Sequence, residues 1–294
     1  MQLSWPYEGA TPLPDSAARF SQVGSNLCLD FHGDPLASQV VVFSDGNHHM
    51  ALAAALAAFR SRHPDVNDVF YATTPPGVLV DAMKAGVLVV GNLRLTAHPD
   101  VFIGPVGLVN RLREEGRLGE PHPLAASRGN VMLVRKGNPM GVSGIGDLAR
   151  ENVRLFLSNP VTESVSYQIY TKTLRQLAAR RGIDAGFLDA AGGQSSRLVY
   201  GERIHHREAP QYIADGRADV AIVFYHLALR YVRIFPDLFE LVALSPEGDP
   251  DQLISSIAVA KTVTGSEWGA RLVEFLLAEN VAQIYREHGL VPAR

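Results

Sequence analysis

The chain has 294 residues, 47% hydrophobic and 19% charged, with length enough for one large core or two medium ones. Its formal charge of −3 gives no overall basic field that would point to nucleic acid. A single cysteine, Cys28, excludes an intrachain disulfide and a Cys-rich zinc site, and no apolar run approaches the roughly 20 residues of a membrane helix. Cys28 is read as a core residue rather than a nucleophile. The N-terminus, MQLSWPYEGATPLPDSAARF, has neither a basic n-region nor an apolar h-region, so a secretory signal is not expected in it.

Residues 1–37 are rich in Pro, Gly and Ser and read as an N-terminal extension. From Val40 the pattern becomes regular. VVVF is a strand, and His49 to Arg62 a helix of strong formers. DVFYATTPPG is a strand running into a turn, VLVDAMKAGV a short helix, PDVFIGP the next strand. NVMLVRKGNP is a strand cut by a turn, GIGDLA opens a helix, and VRLFLSNP is a strand. SVSYQIYTKTLRQLAARRG is a long helix, AGGQSSRLVYGE a flexible connection, ERIHHREAP an extended segment, and PQYIADG a helix with Pro at its first position. ADVAIVFYH, ELVALS and LISSIAVAK are strands, and GSEWGARLVEFLLAENVAQIYREHG is one closing amphipathic helix. Strands alternating with helices predict α/β layers with a mostly parallel sheet.

The order GNVMLVRKGNP, GIGDLA, VRLFLSNP, long helix, ADVAIVFY, SSIAVAK, closing helix and EHGLVP resembles the periplasmic substrate-binding proteins of molybdate and tungstate ABC transporters. The resemblance covers about 38–294. It implies the two-lobe type II periplasmic-binding-protein fold, each lobe a mixed, mostly parallel sheet flanked by helices. Lobe one takes 38–125 plus 249–294 and lobe two 126–248, with two crossings between them. Ligand is held in a cleft between lobes that close by a hinge.

In such a fold, ligand contacts come from strand ends and helix starts, where unpaired N–H groups and the helix dipole suit anions. SDGNHH supplies Ser44, Asn47 and His48; TTPPG supplies Thr73 and Thr74. The Pro-Ala-Gly piece of the molybdate pattern is replaced by NPVTESVSY, which brings Glu163, and VFYH brings Tyr225 and His226. If ERIHHREAP is extended, Ile204, His206 and Glu208 share one face while Arg203, His205 and Arg207 share the other. The first face suits a metal and the second an anion. His48 and His49 point about 100° apart at a helix start, and His48 is favoured for the cleft. The ligand-binding set is therefore Ser44, Asn47, His48, Thr73, Thr74, Glu163, Arg207 and Tyr225; the metal set is His48, His206, Glu208 and His226. The structural alternatives are a polar helix cap for the His48–His49 pair, a core histidine for His226 and a solvated edge for ERIHHREAP. His32, His63, His98, His122 and His288 read as surface residues. No HExxH, His-x-His or Cys ligand is present, and GVSGIGD matches neither a dinucleotide fingerprint nor a P-loop.

The expected function is capture of a small solute, either a divalent metal ion or an oxyanion. Metal is preferred, because Glu163 and Glu208 raise the cost of holding an oxyanion. The metal would be the ligand itself; no nucleotide cofactor is expected. Partners are the small ligand and the membrane component of an ABC transporter, with no nucleic acid, and the protein is read as a monomer. The resemblance implies the periplasm; a full-length product without a signal would be cytoplasmic. An enzyme on the same fold, using cleft histidines as metal ligands or acid/base groups, is the alternative. A sensor module that docks on a partner when closed is a third reading.

Overall fold

The computed structural model describes residues 3, 30–74, 76–90, 93–96, 98–189, 197–202, 204–245 and 255–293. The expectations for Cys28 and Arg203, the first part of AGGQSSRLVYGE, most of the extension, and the second crossing near 248–254 lie outside the described residues. Of the described residues, 30–126 and 255–293 form one compact unit, lobe one, and 127–245 with Leu3 form another, lobe two. No described helix is long and apolar enough to cross a membrane.

Lobe one opens with β1 (Asp30–His32), β2 (Val40–Asp45), α1 (His49–Arg62), β3 (Val69–Thr74) and α2 (Pro76–Ala85). It continues through the hairpin of β4 (Leu88–Val90) and β5 (Leu93–Leu95) to β6 (Val101–Pro105), α3 (Val106–Glu114) and β7 (His122–Ala126). Lobe two comprises β8 (Asn130–Arg135), β9 (Leu155–Leu157), α4 (Ser164–Arg180), β10 (Leu198–Tyr200), α5 (His205–Ala214), β11 (Val220–Phe224), α6 (Tyr225–Ile234) and β12 (Phe239–Ala243). The chain then completes lobe one with β13 (Ser256–Lys261), α7 (Glu267–Leu276), α8 (Glu279–Glu287) and β14 (Val291–Pro292).

The seven-stranded sheet of lobe one has the order β1-β3-β2-β6-β13-β7-β14, with β3, β2 and β6 parallel. Why its strands read as unbroken apolar runs is visible in the packing. Val40, Val42, Val69, Tyr71, Val101 and Ile103 face one core, with α1, α7 and α8. Phe43, Phe70, Ala72 and Phe102 face the other, with α2 and α3. Alternate residues of each strand thus enter opposite cores, and a sheet covered on both sides needs apolar residues at every position. Asp100 ties this sheet to α7: its carboxylate accepts from the N–H groups of Val41 at 2.8 Å and Ser266 at 2.6 Å. A Cβ on Gly269 would stand 2.8 Å from the Asp100 Cβ, so the close approach of α7 needs glycine there.

Lobe two carries a five-stranded sheet, β10-β9-β11-β8-β12, with β10, β9 and β11 parallel and β8 and β12 antiparallel. Arg154 and Asp219 clamp the starts of β9 and β11 through paired side-chain bonds of 3.0 and 2.8 Å and a backbone bond of 2.8 Å.

Four sequence expectations change. ERIHHREAP is not extended: α5 begins at His205 and includes Pro210. Its buried residues His205, Ala209, Tyr212 and Ile213 recur with helical spacing, a period hidden by counting the histidines as polar. His226 lies in α6 rather than at the end of a strand. AGGQSSRLVYGE contains the edge strand β10. The closing helix is two helices, α7 and α8, because Ala278 turns extended (ψ 154°) inside LLAEN, where no Gly or Pro marks a break. From the extension, Asp30–His32 pairs antiparallel with β3.

Candidate functional site

In lobe one the parallel strands β3, β2 and β6 end side by side at Thr74, Asp45 and Pro105, and α2, α1 and α3 start from those ends. The middle corner is built by its own sequence. Asp45 caps the turn before α1, accepting from the Asn47 N–H at 2.9 Å, and is itself buried. Burial raises its carboxyl pKa above the ordinary value, against the opposing pull of the Asn47 backbone and side-chain donors. Thr74 sits directly opposite Asp45 on the neighbouring strand. It is 3% exposed, and no hydrogen-bond partner reaches its Oγ1 among the described residues.

The histidines of this corner serve the fold. Ser44 Oγ donates to the Asp45 carbonyl at 3.1 Å, so it accepts from His48 Nε2 at 2.9 Å. Its Nδ1 pairs with the Tyr285 hydroxyl at 2.9 Å. Ser44 and His48 are 0% and 1% exposed. His49 Nδ1 donates to the Gly46 carbonyl at 2.9 Å. His32 stacks on Tyr71 with ring centroids 4.4 Å apart and lies 3.4 Å from Thr73 Oγ1; desolvation, helped by nearby His49, lowers its pKa to about 4.

In lobe two, β10, β9 and β11 end at Tyr200, Leu157 and Phe224, leading into the starts of α5, α4 and α6. Asn159 organises the turn after β9: its Oδ1 accepts from Val161 N at 2.9 Å, and its Nδ2 donates to the Gly201 carbonyl at 3.2 Å. Glu163 follows, and its Oε2 accepts from the His205 N–H at 2.8 Å, which places a carboxylate on the first backbone donor of α5. Burial, with a smaller contribution from Glu208, lifts the Glu163 pKa to about 7 against the pull of the His205 and Asn159 N–H groups. The His205 ring stacks on Phe156 at 4.8 Å and is 1% exposed; burial drives its pKa down to about 3. Pro210 has no N–H to give the carbonyl four residues earlier, that of His206, and the Tyr231 hydroxyl donates to it instead. Half-buried Tyr225 opens α6, and the Arg128 guanidinium lies 4.5 Å from its ring centroid.

The predicted residues therefore separate. Asn47, Thr73 and Thr74 lie at the lobe-one corner; Glu163, Arg207 and Tyr225 lie at the lobe-two corner. Ser44 and His48 are consumed in the core of lobe one. His226 is 2% exposed and stacks on Phe224, with ring centroids 5.6 Å apart. His206 and Glu208, two residues apart on a helix, point about 200° away from each other, so the shared metal face expected of an extended segment is lost. Among the described residues, no group of three or more His, Cys, Asp or Glu side chains could hold a metal ion. Three of the five histidines read as surface are half-buried with partners. These are His32, His63, which lies 4.6 Å from Phe59 and 5.7 Å from Trp268, and His288, which donates to the Ile284 carbonyl at 2.9 Å. Asp45, Arg128 and Asn159 were absent from the predicted set. The capping pattern D-x-N points to Asp45, and N-P after a strand points to Asn159; Arg128 has no local signal.

A family model described as bacterial extracellular solute-binding protein matches residues 40–291. No curated protein matches the chain in sequence. The periplasmic molybdate-binding protein of Azotobacter vinelandii is similar at TM-score 0.62 and 14% identity, covering 87% of this chain and 100% of that one. The sulfate-binding protein SubI from Mycobacterium tuberculosis H37Rv is similar at 0.61 and 16%, covering 86% of each chain. Iron-bound HitA from Pseudomonas aeruginosa is similar at 0.60 and 15%, covering 87% of each. At these identities the likeness is one of fold, the mixed α/β type II periplasmic-binding-protein fold.

Proposed function

Because the chain belongs to the bacterial extracellular solute-binding proteins, we propose that it captures one small solute between its lobes and delivers it to the membrane component of an ABC transporter from the periplasm. The observation that carries this reading is the matching construction of the two lobes. Each sets three parallel strand ends and three helix starts side by side, and each lines that edge with polar groups. Strand ends of open α/β sheets are where ligands bind. On this reading Asn47, Thr73 and Thr74 contact the solute from lobe one, and Glu163, Arg207 and Tyr225 from lobe two. Closure about the two crossings sequesters it.

The similar structures carry molybdate, sulfate and iron in their names, so the fold alone leaves ligand chemistry open. One observation bears on the metal set: His48 has both ring nitrogens engaged within lobe one. The test is a thermal melt of chelator-stripped protein against a broad panel of metals, oxyanions and small organic solutes, with small-angle scattering on each hit. A solute at 100 times its Kd stabilises by about 2.7 kcal/mol. The expected outcome is one chemical class that raises Tm and lowers the radius of gyration. A panel with no hit, from protein that also releases no small molecule on unfolding, contradicts the proposal.

A further inference from the structure

We propose that the recognised end of the solute is an ammonium group on a small organic molecule, and that Asp45 and Thr74 are the pair that hold it. This rests on the solute-binding reading and names the ligand chemistry of the lobe-one corner. Three observations converge there.

The first is the state of the helix start. An oxyanion at such a corner is held by free backbone N–H groups. Here Asp45 already accepts the Asn47 N–H at 2.9 Å, with the Asn47 amide nitrogen 3.4 Å from its second oxygen. The position an anion would take is filled by the chain's own carboxyl group. A cationic donor meets no such competitor: Oδ2 keeps acceptor capacity beyond its long contact with Asn47.

The second is Thr74. Its Oγ1 lies buried on the strand paired with Asp45, without a partner among the described residues. A buried hydroxyl left unpaired is costly, so the position is shaped to receive a hydrogen-bonding atom. An ammonium carries three donors and can serve the carboxylate and the hydroxyl oxygen together. Gly46 packs beside this pair: a Cβ there would stand 3.7 Å from the backbone atoms of Thr73 and Thr74, in ordinary contact.

The third is charge. No Lys or Arg occurs in 43–49, 72–74 or 102–107, the segments around the three strand ends. The histidines beside them do not supply a cation at neutral pH: desolvation lowers the pKa of His32 to about 4 and also lowers that of His49. Burial of Asp45 raises its pKa, and an ammonium bound against it reverses that shift. Ammonium binding therefore tightens as pH rises through the Asp45 titration, whereas an oxyanion held by protonated Asp45 would weaken over the same range. Lobe two follows the same plan separately, with the Glu163 carboxylate on the His205 N–H at the start of α5.

The experiment is isothermal titration of the full chain with ethanolamine, glycine and 1,4-diaminobutane, and with molybdate, sulfate and zinc, between pH 6 and pH 8. At least one amine is expected to bind, with none of the other three binding. Asp45→Asn keeps a capping acceptor, so its fold is preserved; it should weaken the amine at least roughly 100-fold, the loss of a buried charge pair. Thr74→Val keeps the shape and should weaken it about 10-fold. Binding of an oxyanion or zinc instead of an amine overturns the ammonium assignment and leaves the solute-binding reading standing. So does recovery, by mass spectrometry of unfolded protein, of a co-purified solute without an amine. Failure of all three amines overturns the assignment as well; failure of every solute in the broader melt contradicts the solute-binding reading itself.

Discussion

The two strand-end corners solve one problem by different routes. Both put a carboxylate on a backbone N–H where a strand end turns into a helix. In lobe one the carboxylate is local: Asp45 reaches Asn47, two residues on. In lobe two it is remote: Glu163, ahead of α4, reaches His205, 42 residues later, at the head of α5. A local cap is independent of what surrounds it. A remote cap exists only if two loops are held in register, which is what Phe156, Asn159 and Tyr231 do around α5. The difference predicts that lobe two's corner is the more fragile and the more sensitive to pH.

The largest effect should come from removing the platform under α5. Phe156 is 0% exposed and stacks on His205 at 4.8 Å and Tyr212 at 4.3 Å. Phe156→Ala should cost about 3–5 kcal/mol in denaturant melts; a loss below about 1 kcal/mol would show that α5 does not depend on that stack. Next is Tyr231→Phe, which strands the His206 carbonyl that Pro210 cannot serve. Its expected cost is about 1–3 kcal/mol, and it should raise amide exchange at the head of α5.

The Glu163 carboxylate gives the pH signature. Its native pKa of about 7 lies above the ordinary 4.5, so between these values the folded protein holds a proton that the unfolded chain has lost. Glu163 thus costs nothing below the unfolded value, and its penalty grows as pH rises towards 7 and persists above. Glu163→Gln should match the parent at pH 4 and exceed it by about 1–2 kcal/mol at pH 8, a figure reduced for the group's partial exposure. An advantage that is flat with pH would break the account. The smallest effect belongs to the local cap. Asp45→Asn should match the parent in acid, because Asn caps as well as Asp, and be modestly more stable at neutral pH, because burial raises the Asp45 pKa.

Sequence legibility divides along the same line. VVVF, the helix from His49 to Arg62 and the strand–helix alternation could be read directly, because a two-sided sheet and its covering helices leave periodic apolar patterns. SDGN announces its own cap. The fate of His48 could not be read, since its partner Tyr285 lies 237 residues away. Nor could α5, whose buried face includes His205, a residue type that pattern reading counts as polar. His63 looked like surface for the same reason: the rings of Phe59 and Trp268 that enclose it come from two helices far apart in sequence. Nothing local in sequence distinguishes a histidine ring satisfied by the core from one facing a solute.

The most direct test of the central claim is hydrogen–deuterium exchange of the full chain with and without the solute that raises Tm. If one solute is held by both corners, protection rises together in 44–50 and 72–78 of lobe one and in 158–167 and 204–210 of lobe two, and little elsewhere except at the crossings. Protection confined to one lobe, or centred away from the strand ends, would contradict it.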